Sequence, residues 1–135
     1  MNFETFNFHP SVAAGIAAAG YETPTPIQAR AIPQVVSGRD VMGLAQTGTG
    51  KTAAFALPIL NRLVRGKFGC VRALIIAPTR ELAEQIHLAI ETLGRKTRIK
   101  SVTVYGGVGI NPQIQKLKHA DIVVACPGRL LDHIR

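Results

Sequence analysis

Ala45-Gln46-Thr47-Gly48-Thr49-Gly50-Lys51-Thr52 is the stretch on which the reading of this 135-residue chain turns. Glycines at 48 and 50 let the backbone curl tightly, so that successive N–H groups point inward at an anion. The residues that follow, Ala53-Ala54-Phe55-Ala56-Leu57, are good helix formers. A helix starting near Gly50 adds its N-terminal partial positive charge at the same spot. Lys51 is placed to reach β- and γ-phosphate oxygens, and the Thr52 hydroxyl to meet Mg²⁺. Upstream, Asp40-Val41-Met42-Gly43-Leu44-Ala45 reads as a buried strand. Strand, glycine-rich turn and helix together are the context that makes such a loop a phosphate cradle rather than an ordinary turn. One position departs from the usual pattern: Ala45 stands where a glycine is common.

Working outward, the chain alternates strand and helix signals. Val12 to Ala19 reads as a short helix with Pro10 at its start and Gly20 ending it. Thr25 caps a second helix with Pro26 at its first position, and Pro33 is expected to kink or split it. The helix after Lys51 is expected to run to about Val64 with a bend near Pro58. Arg72 to Ala77 is a nearly all-apolar strand, as a parallel sheet requires. Thr79 caps a helix whose apolar side carries Leu82, Ile86, Ala89, Ile90 and Leu93, and Gly94 ends it. Ser101 to Tyr105 reads as a strand, Gly106-Gly107 as a turn, and Pro112 to Lys118 as a short helix. Ile122 to Ala125 is a further buried strand, and Pro127 opens a last helix through Ile134. The expected class is α/β with a mainly parallel sheet flanked by helices.

Bulk properties narrow the class. The hydrophobic fraction is 47%, and no apolar run approaches the roughly 18 residues of a membrane helix. Two cysteines, Cys70 and Cys126, show no metal-type spacing, and no secretory signal is evident at Met1-Asn2-Phe3-Glu4. A reduced, cytoplasmic protein is the expectation. Sixteen Lys and Arg against eight Asp and Glu leave a net charge of +8, which favours polyanionic partners such as nucleic acid. The densest basic run, Arg95 to Lys100, reads as a solvated loop. His9, His87, His119 and His133 have no metal-like spacing.

Several motifs then line up in order. Gly20-Tyr21-Glu22-Thr23-Pro24-Thr25-Pro26-Ile27-Gln28 resembles the Q motif of DEAD-box RNA helicases, and Ala45 to Thr52 resembles their motif I, in which alanine replaces the first glycine. Pro78-Thr79-Arg80-Glu81-Leu82-Ala83 resembles motif Ia, Gly106-Gly107 the GG motif, and Pro127-Gly128-Arg129 most of motif Ib. The likeness spans nearly the whole chain. It implies an incomplete N-terminal RecA-like helicase domain, with residues 1–38 as the Q-motif region and 39–135 as the P-loop α/β core.

The resemblance also assigns roles. Gln28 would read the adenine edge of ATP or ADP, with Tyr21 and Pro24 beside it. Phe3, seventeen residues before Gly20, would pack against the base; Phe6 and Phe8 would be packing residues. Gln46, Thr47, Gly48, Thr49, Gly50, Lys51 and Thr52 would hold the phosphates, with Lys51 and Thr52 at the reacting end and Thr52 on Mg²⁺. Pro78, Thr79, Arg80, Gly106, Gly107, Gly128 and Arg129 match positions that touch a single-stranded RNA backbone without reading its bases. Cys126 departs from the family's threonine, and a thiol both caps a helix and donates to phosphate only weakly. Glu81 is read as a salt-bridging or capping residue and Glu84 as a surface one.

Hydrolysis needs acidic groups to hold Mg²⁺ and position water, and in this family an Asp-Glu-Ala-Asp tetrapeptide supplies them. No Asp-Glu pair occurs in this chain, and Asp40 and Asp121 precede strands, at the wrong end for that work. The expectation is the nucleotide-binding part of an ATP-dependent RNA helicase that binds ATP or ADP but does not itself turn it over. Unpaired sheet edges would leave the fragment unstable or favour a homodimer through those edges or through swapped elements. The alternatives are a non-catalytic module that sequesters nucleotide, RNA or the parent protein, and a small P-loop kinase or transferase, which would leave Gln28, Gly106-Gly107 and Pro127-Gly128-Arg129 unexplained.

Overall fold

A computed structural model describes all 135 residues, Met1–Arg135. A 3-10 turn at Phe3–Phe6 precedes α1 (Pro10–Ala18) and α2 (Pro26–Val36). The glycine-rich loop leads into α3 (Lys51–Leu63), followed by β1 (Ala73–Ile76), α4 (Arg80–Leu93), β2 (Ser101–Val104), α5 (Ile110–Leu117), β3 (Ile122–Ala125) and α6 (Pro127–Ile134). The three strands form one parallel sheet in the order β1-β3-β2, with Ala73 and Ser101 both in register with Ile122. The class is the α/β one that the alternation predicts.

Alternation along β3 divides the core. Ile122 and Val124 join the larger apolar cluster, which holds Leu57 and Leu60 of α3, Ile86 and Ile90 of α4, Ile32 of α2, and Phe3, Val12 and Ile16 of the N-terminal region. Val123 and Ala125 point the other way, into a smaller cluster with Val104 and Ala120 against which Leu117 of α5 and Leu130 of α6 pack. Successive strand residues face opposite sides, so all four residues of β3 are buried. The N-terminal helices are thus built into the same core as the sheet.

Helix ends follow their local chemistry. The Thr25 hydroxyl accepts from the Gln28 N–H while the Gln28 side chain accepts from the Thr25 N–H, a reciprocal capping box at the start of α2. Thr79 accepts from the Leu82 N–H to cap α4. The buried Asp121 sits just before β3. Its two carboxylate oxygens accept from the Gly69 and Lys100 N–H groups, each at 2.8 Å, and its carbonyl accepts from Arg72 at 2.9 Å. One carboxylate therefore ties together the segments that lead into all three strands, at the end of the sheet where the strands begin.

Several expectations are corrected. Asp40 to Ala45 forms no strand: the segment has no backbone ladder, and Met42 and Leu44 are largely exposed. A strand is defined by its neighbour, and no segment of this chain pairs with this one. Pro33 does not split α2, which runs through it. α5 begins at Ile110, two residues earlier than expected. Leu82 is exposed, and the inward face of α4 is Ala83, Ile86, Ile90 and Leu93 instead. β1 is not covered on both faces: Ala73 and Ile75 pack on the core, but Leu74 is 51% and Ile76 57% exposed, because α5 and α6 cover only β2 and β3 on that side. Glu81 makes no ion pair; the salt bridges are His87–Glu91 and Arg129–Asp132.

Candidate nucleotide and nucleic-acid site

The glycine-rich loop reaches its shape through two left-handed residues, Gly48 at φ +84° and Gly50 at φ +83°. The Thr49 hydroxyl closes the turn by donating to the Gln46 carbonyl at 2.6 Å. Gly50 is the residue before α3, and no side chain caps that helix. The first N–H groups of a helix have no partner within it, so those at the start of α3 face outward together with the positive end of the helix dipole. Lys51 and Thr52 occupy the first two helical positions, Lys51 exposed and Thr52 half-buried. Lys51 also borders a cavity of about 240 Å³ walled by Ile27 and Ala31 of α2, Val41 and Gly43 of the loop, and Phe55 of α3.

Gln28 is only 2% exposed, and its amide spans two structures. Its carbonyl oxygen accepts from Thr25 N–H at 3.0 Å, and its NH₂ donates to the Gly50 carbonyl at 3.2 Å. A Cβ at Gly50 would lie 2.4 Å from that amide nitrogen, so position 50 needs glycine both for its backbone angle and for this contact. Phe3 is buried edge-on against Phe6 at 5.9 Å and tilted against Tyr21 at 6.0 Å between ring centres. Phe3, Asn7, Tyr21 and Glu22 line a second cavity, of about 580 Å³. Pro24 lies half-buried in the connector between Tyr21 and the capping box.

The remaining candidates gather at one end of the sheet. Pro78, Thr79 and Arg80 follow β1, Gly106 and Gly107 follow β2, and Gly128 and Arg129 follow β3. In a parallel sheet these are the C-terminal ends of the strands, where open α/β folds take their ligands. All are exposed except Arg129, which is partly covered. The loops also touch. The Arg80 guanidinium lies 4.8 Å from the centre of the Tyr105 ring, and its Nη1 would be 2.9 Å from a Cβ at Gly107. The Tyr105 hydroxyl has its pKa raised, first by desolvation and then by the neighbouring Glu84 carboxylate, with Arg80 opposing. Glu84 is half-buried and lies near this loop.

Arg129 donates to the Val108 carbonyl at 3.0 Å and to Gln113 Oε1 at 3.2 Å, and it pairs with Asp132 at 3.5 Å. Gln113 is buried; its NH₂ donates to the Tyr105 carbonyl at 2.8 Å, and its oxygen lies 3.1 Å from the His133 ring nitrogen. One amide therefore braces the loop after β2 against the start of α6. Sequence reasoning missed Gln113 and Tyr105, because their partners are main-chain carbonyls and a guanidinium brought in from elsewhere, which no local spacing encodes. Cys126 precedes α6 and gives it no side-chain cap, as expected of a thiol in that place. No group of His, Cys, Asp and Glu is arranged to hold a metal ion, and no helix is long and apolar enough to cross a membrane.

Comparison with known proteins agrees with this geometry. The family model described as "DEAD/DEAH box helicase" matches residues 25–135. The chain is 49% identical over 135 residues to the DEAD-box ATP-dependent RNA helicase RhpA of Helicobacter pylori, covering 99% of this chain and 27% of that protein. It is 45% identical over 133 residues to the DEAD-box ATP-dependent RNA helicase CshA of Bacillus cereus, covering 98% of this chain and 25% of that one. It therefore spans about a quarter of these relatives. Among solved structures it superposes on a DEAD box protein from Methanococcus jannaschii with a TM-score of 0.92 at 41% identity, over 99% of this chain and 37% of that one. A hypothetical ATP-dependent RNA helicase from Sulfolobus tokodaii gives 0.82 at 40%, over 90% and 35%. On the family match across most of its length, the chain belongs to the DEAD/DEAH box helicases.

Proposed function

We propose that this chain is the nucleotide-gripping and RNA-backbone-contacting part of an ATP-dependent RNA helicase. The observation that carries the proposal is the uncapped start of α3 behind two left-handed glycines, with Lys51 and Thr52 at its first positions. Open N–H groups, a helix dipole and an ammonium in one concave turn suit the polyphosphate of ATP or ADP. Thr52 would carry the hydroxyl ligand of Mg²⁺, whose chemistry when bound is to neutralise charge building on the phosphates. Gln28 holds the loop to α2 and would present its amide to adenine, with Phe3 and Tyr21 offering rings beside the base.

The exposed loops at Pro78, Thr79, Arg80, Gly106, Gly107, Gly128 and Arg129 would take the phosphates of single-stranded RNA. Glycines admit close approach there, helix starts offer N–H groups, and arginines add charge. The relatives' names, as ATP-dependent RNA helicases, support the assignment. The 135 residues contain no Asp-Glu pair, so the chain by itself binds Mg·ATP without turning it over. A phosphate-release assay with and without oligouridylate tests this. The expected result is bound nucleotide and no release; RNA-stimulated release by the chain alone would contradict it. The outer edge of β1, with Leu74 and Ile76 exposed beside it, is where a second copy would add a strand.

A further inference from the structure

The net charge of this protein is concentrated away from the site described above. From Thr92 to Ala120 the sequence holds six Lys and Arg and not one Asp or Glu. The rest of the chain carries ten basic residues against eight acidic ones, which is close to balance. At the strand ends that carry the candidate RNA contacts, both guanidiniums already have neighbours: Arg80 lies on the Tyr105 ring, and Arg129 is engaged by Val108, Gln113 and Asp132.

Folding gathers part of the surplus charge at the opposite end of the sheet. α4 and α5 both run from the C-terminal ends of the strands back to the N-terminal ends. The end of α5 thereby meets the start of β2, and between them lies a cavity of about 460 Å³. Lys100 and Ser101 from β2 and its approach, and Gln115, Lys116 and His119 from α5 and the turn after it, supply its polar lining, with Glu91 of α4 at the rim. Glu91 lies against the His87 ring nitrogen. The side chains of Lys100 and Lys116 make no hydrogen bond or ion pair within the protein, so both ammonium groups are open to a partner. Lys118 stands exposed one turn position away.

We infer that this basic groove at the N-terminal end of β2 is a second docking site for the phosphodiester backbone of RNA, distinct from the loops at the C-terminal end. It rests on the RNA reading proposed above. Charge complementarity selects the ligand: two unpaired ammonium groups with the Gln115 amide beside them suit phosphate oxygens, over a floor to which Ile99 and Val102 contribute and with the Ser101 hydroxyl engaged by His87. Positions that attract a polyanion without reading bases add affinity and salt dependence, and they let a long strand wrap both ends of the sheet.

The test is fluorescence anisotropy of labelled single-stranded oligouridylate, titrated with the wild-type chain, K100Q/K116Q and R80Q at several salt concentrations. Both lysines are exposed and unpartnered, so K100Q/K116Q should melt as wild type does. The expected result is an affinity about three- to tenfold weaker at low salt, with the slope of log K against log salt shallower by about 1.4, as the loss of two phosphate contacts on a single strand requires. K100E/K116E should weaken binding further. Affinity and slope unchanged in K100Q/K116Q but reduced in R80Q would overturn this inference alone. No binding by the wild-type chain would overturn it together with the RNA reading.

Discussion

Replacing Gln28 with glutamate separates two jobs that a single side chain performs. A glutamate keeps the acceptor oxygen for the Thr25 N–H at 3.0 Å, so the capping box that starts α2 survives. It has no N–H to give to the Gly50 carbonyl, and it turns an attractive 3.2 Å contact into one between two oxygen acceptors. Losing a buried hydrogen bond and leaving its acceptor unpaired costs about 1–3 kcal/mol. That cost falls on the residue that sets the start of α3, and hence on the phosphate loop. Q28E should therefore weaken Mg·ADP binding by about 1–3 kcal/mol, which is roughly five- to 150-fold. Its thermal midpoint should fall too, because the carboxylate is buried against a carbonyl oxygen, and that of Q28A should fall through loss of the Thr25 contact as well. Isothermal calorimetry and a melt on each variant measure both quantities. Q28E binding Mg·ADP as tightly as wild type would refute the claim that this amide holds the loop.

Three further outcomes follow from the contacts. Asp121→Ala removes two charge-assisted bonds at 2.8 Å and leaves the Gly69 and Lys100 N–H groups without partners. At about 1.5–3 kcal/mol for each bond to a charged group, urea denaturation should show a loss of about 3–6 kcal/mol, a large share of any domain of this size. Gln113→Ala unties the loop after β2 from Arg129, and it should weaken oligouridylate binding several-fold while leaving Mg·ADP affinity as it was; anisotropy and calorimetry on the same sample read the two. Sedimentation of the 135-residue chain should show dimer growing with concentration through the open edge of β1, and Leu74→Lys with Ile76→Lys should restore monomer.

Much of this fold is legible in the sequence because its signals are local. Pro10, Thr25 with Pro26, Thr79 and Gly94 mark helix ends through chemistry confined to one turn, and each end lies where those residues put it. The all-apolar run Ile122 to Ala125 reads as a strand and is the one covered on both faces, whereas the equally apolar Ala73 to Ile76 leaves one face open, so composition marks the strands but not which of them is central. What could not be read is non-local. Asp40 to Ala45 has strand composition but no partner, and composition does not supply a ladder. Pro33 remains inside a helix whose packing against the core outweighs one missing bond. In the site, glycines and capping residues betray the phosphate loop and the strand ends. Gln113 and Lys116 acquire their neighbours only when α5 folds back along the sheet, and no spacing in the chain foretells that.

The direct test of the central claim is calorimetric titration of the folded chain with Mg·ADP, in parallel with Mg·GDP and with the variant Lys51→Ala. Saturable Mg·ADP binding that is much weaker for Mg·GDP and lost in K51A is the result expected from an open helix start aided by one ammonium, and from the proposal that the Gln28 amide would read the adenine edge. A well-folded wild-type chain that releases no heat with Mg·ADP, and whose melt Mg·ADP leaves unmoved, would contradict it.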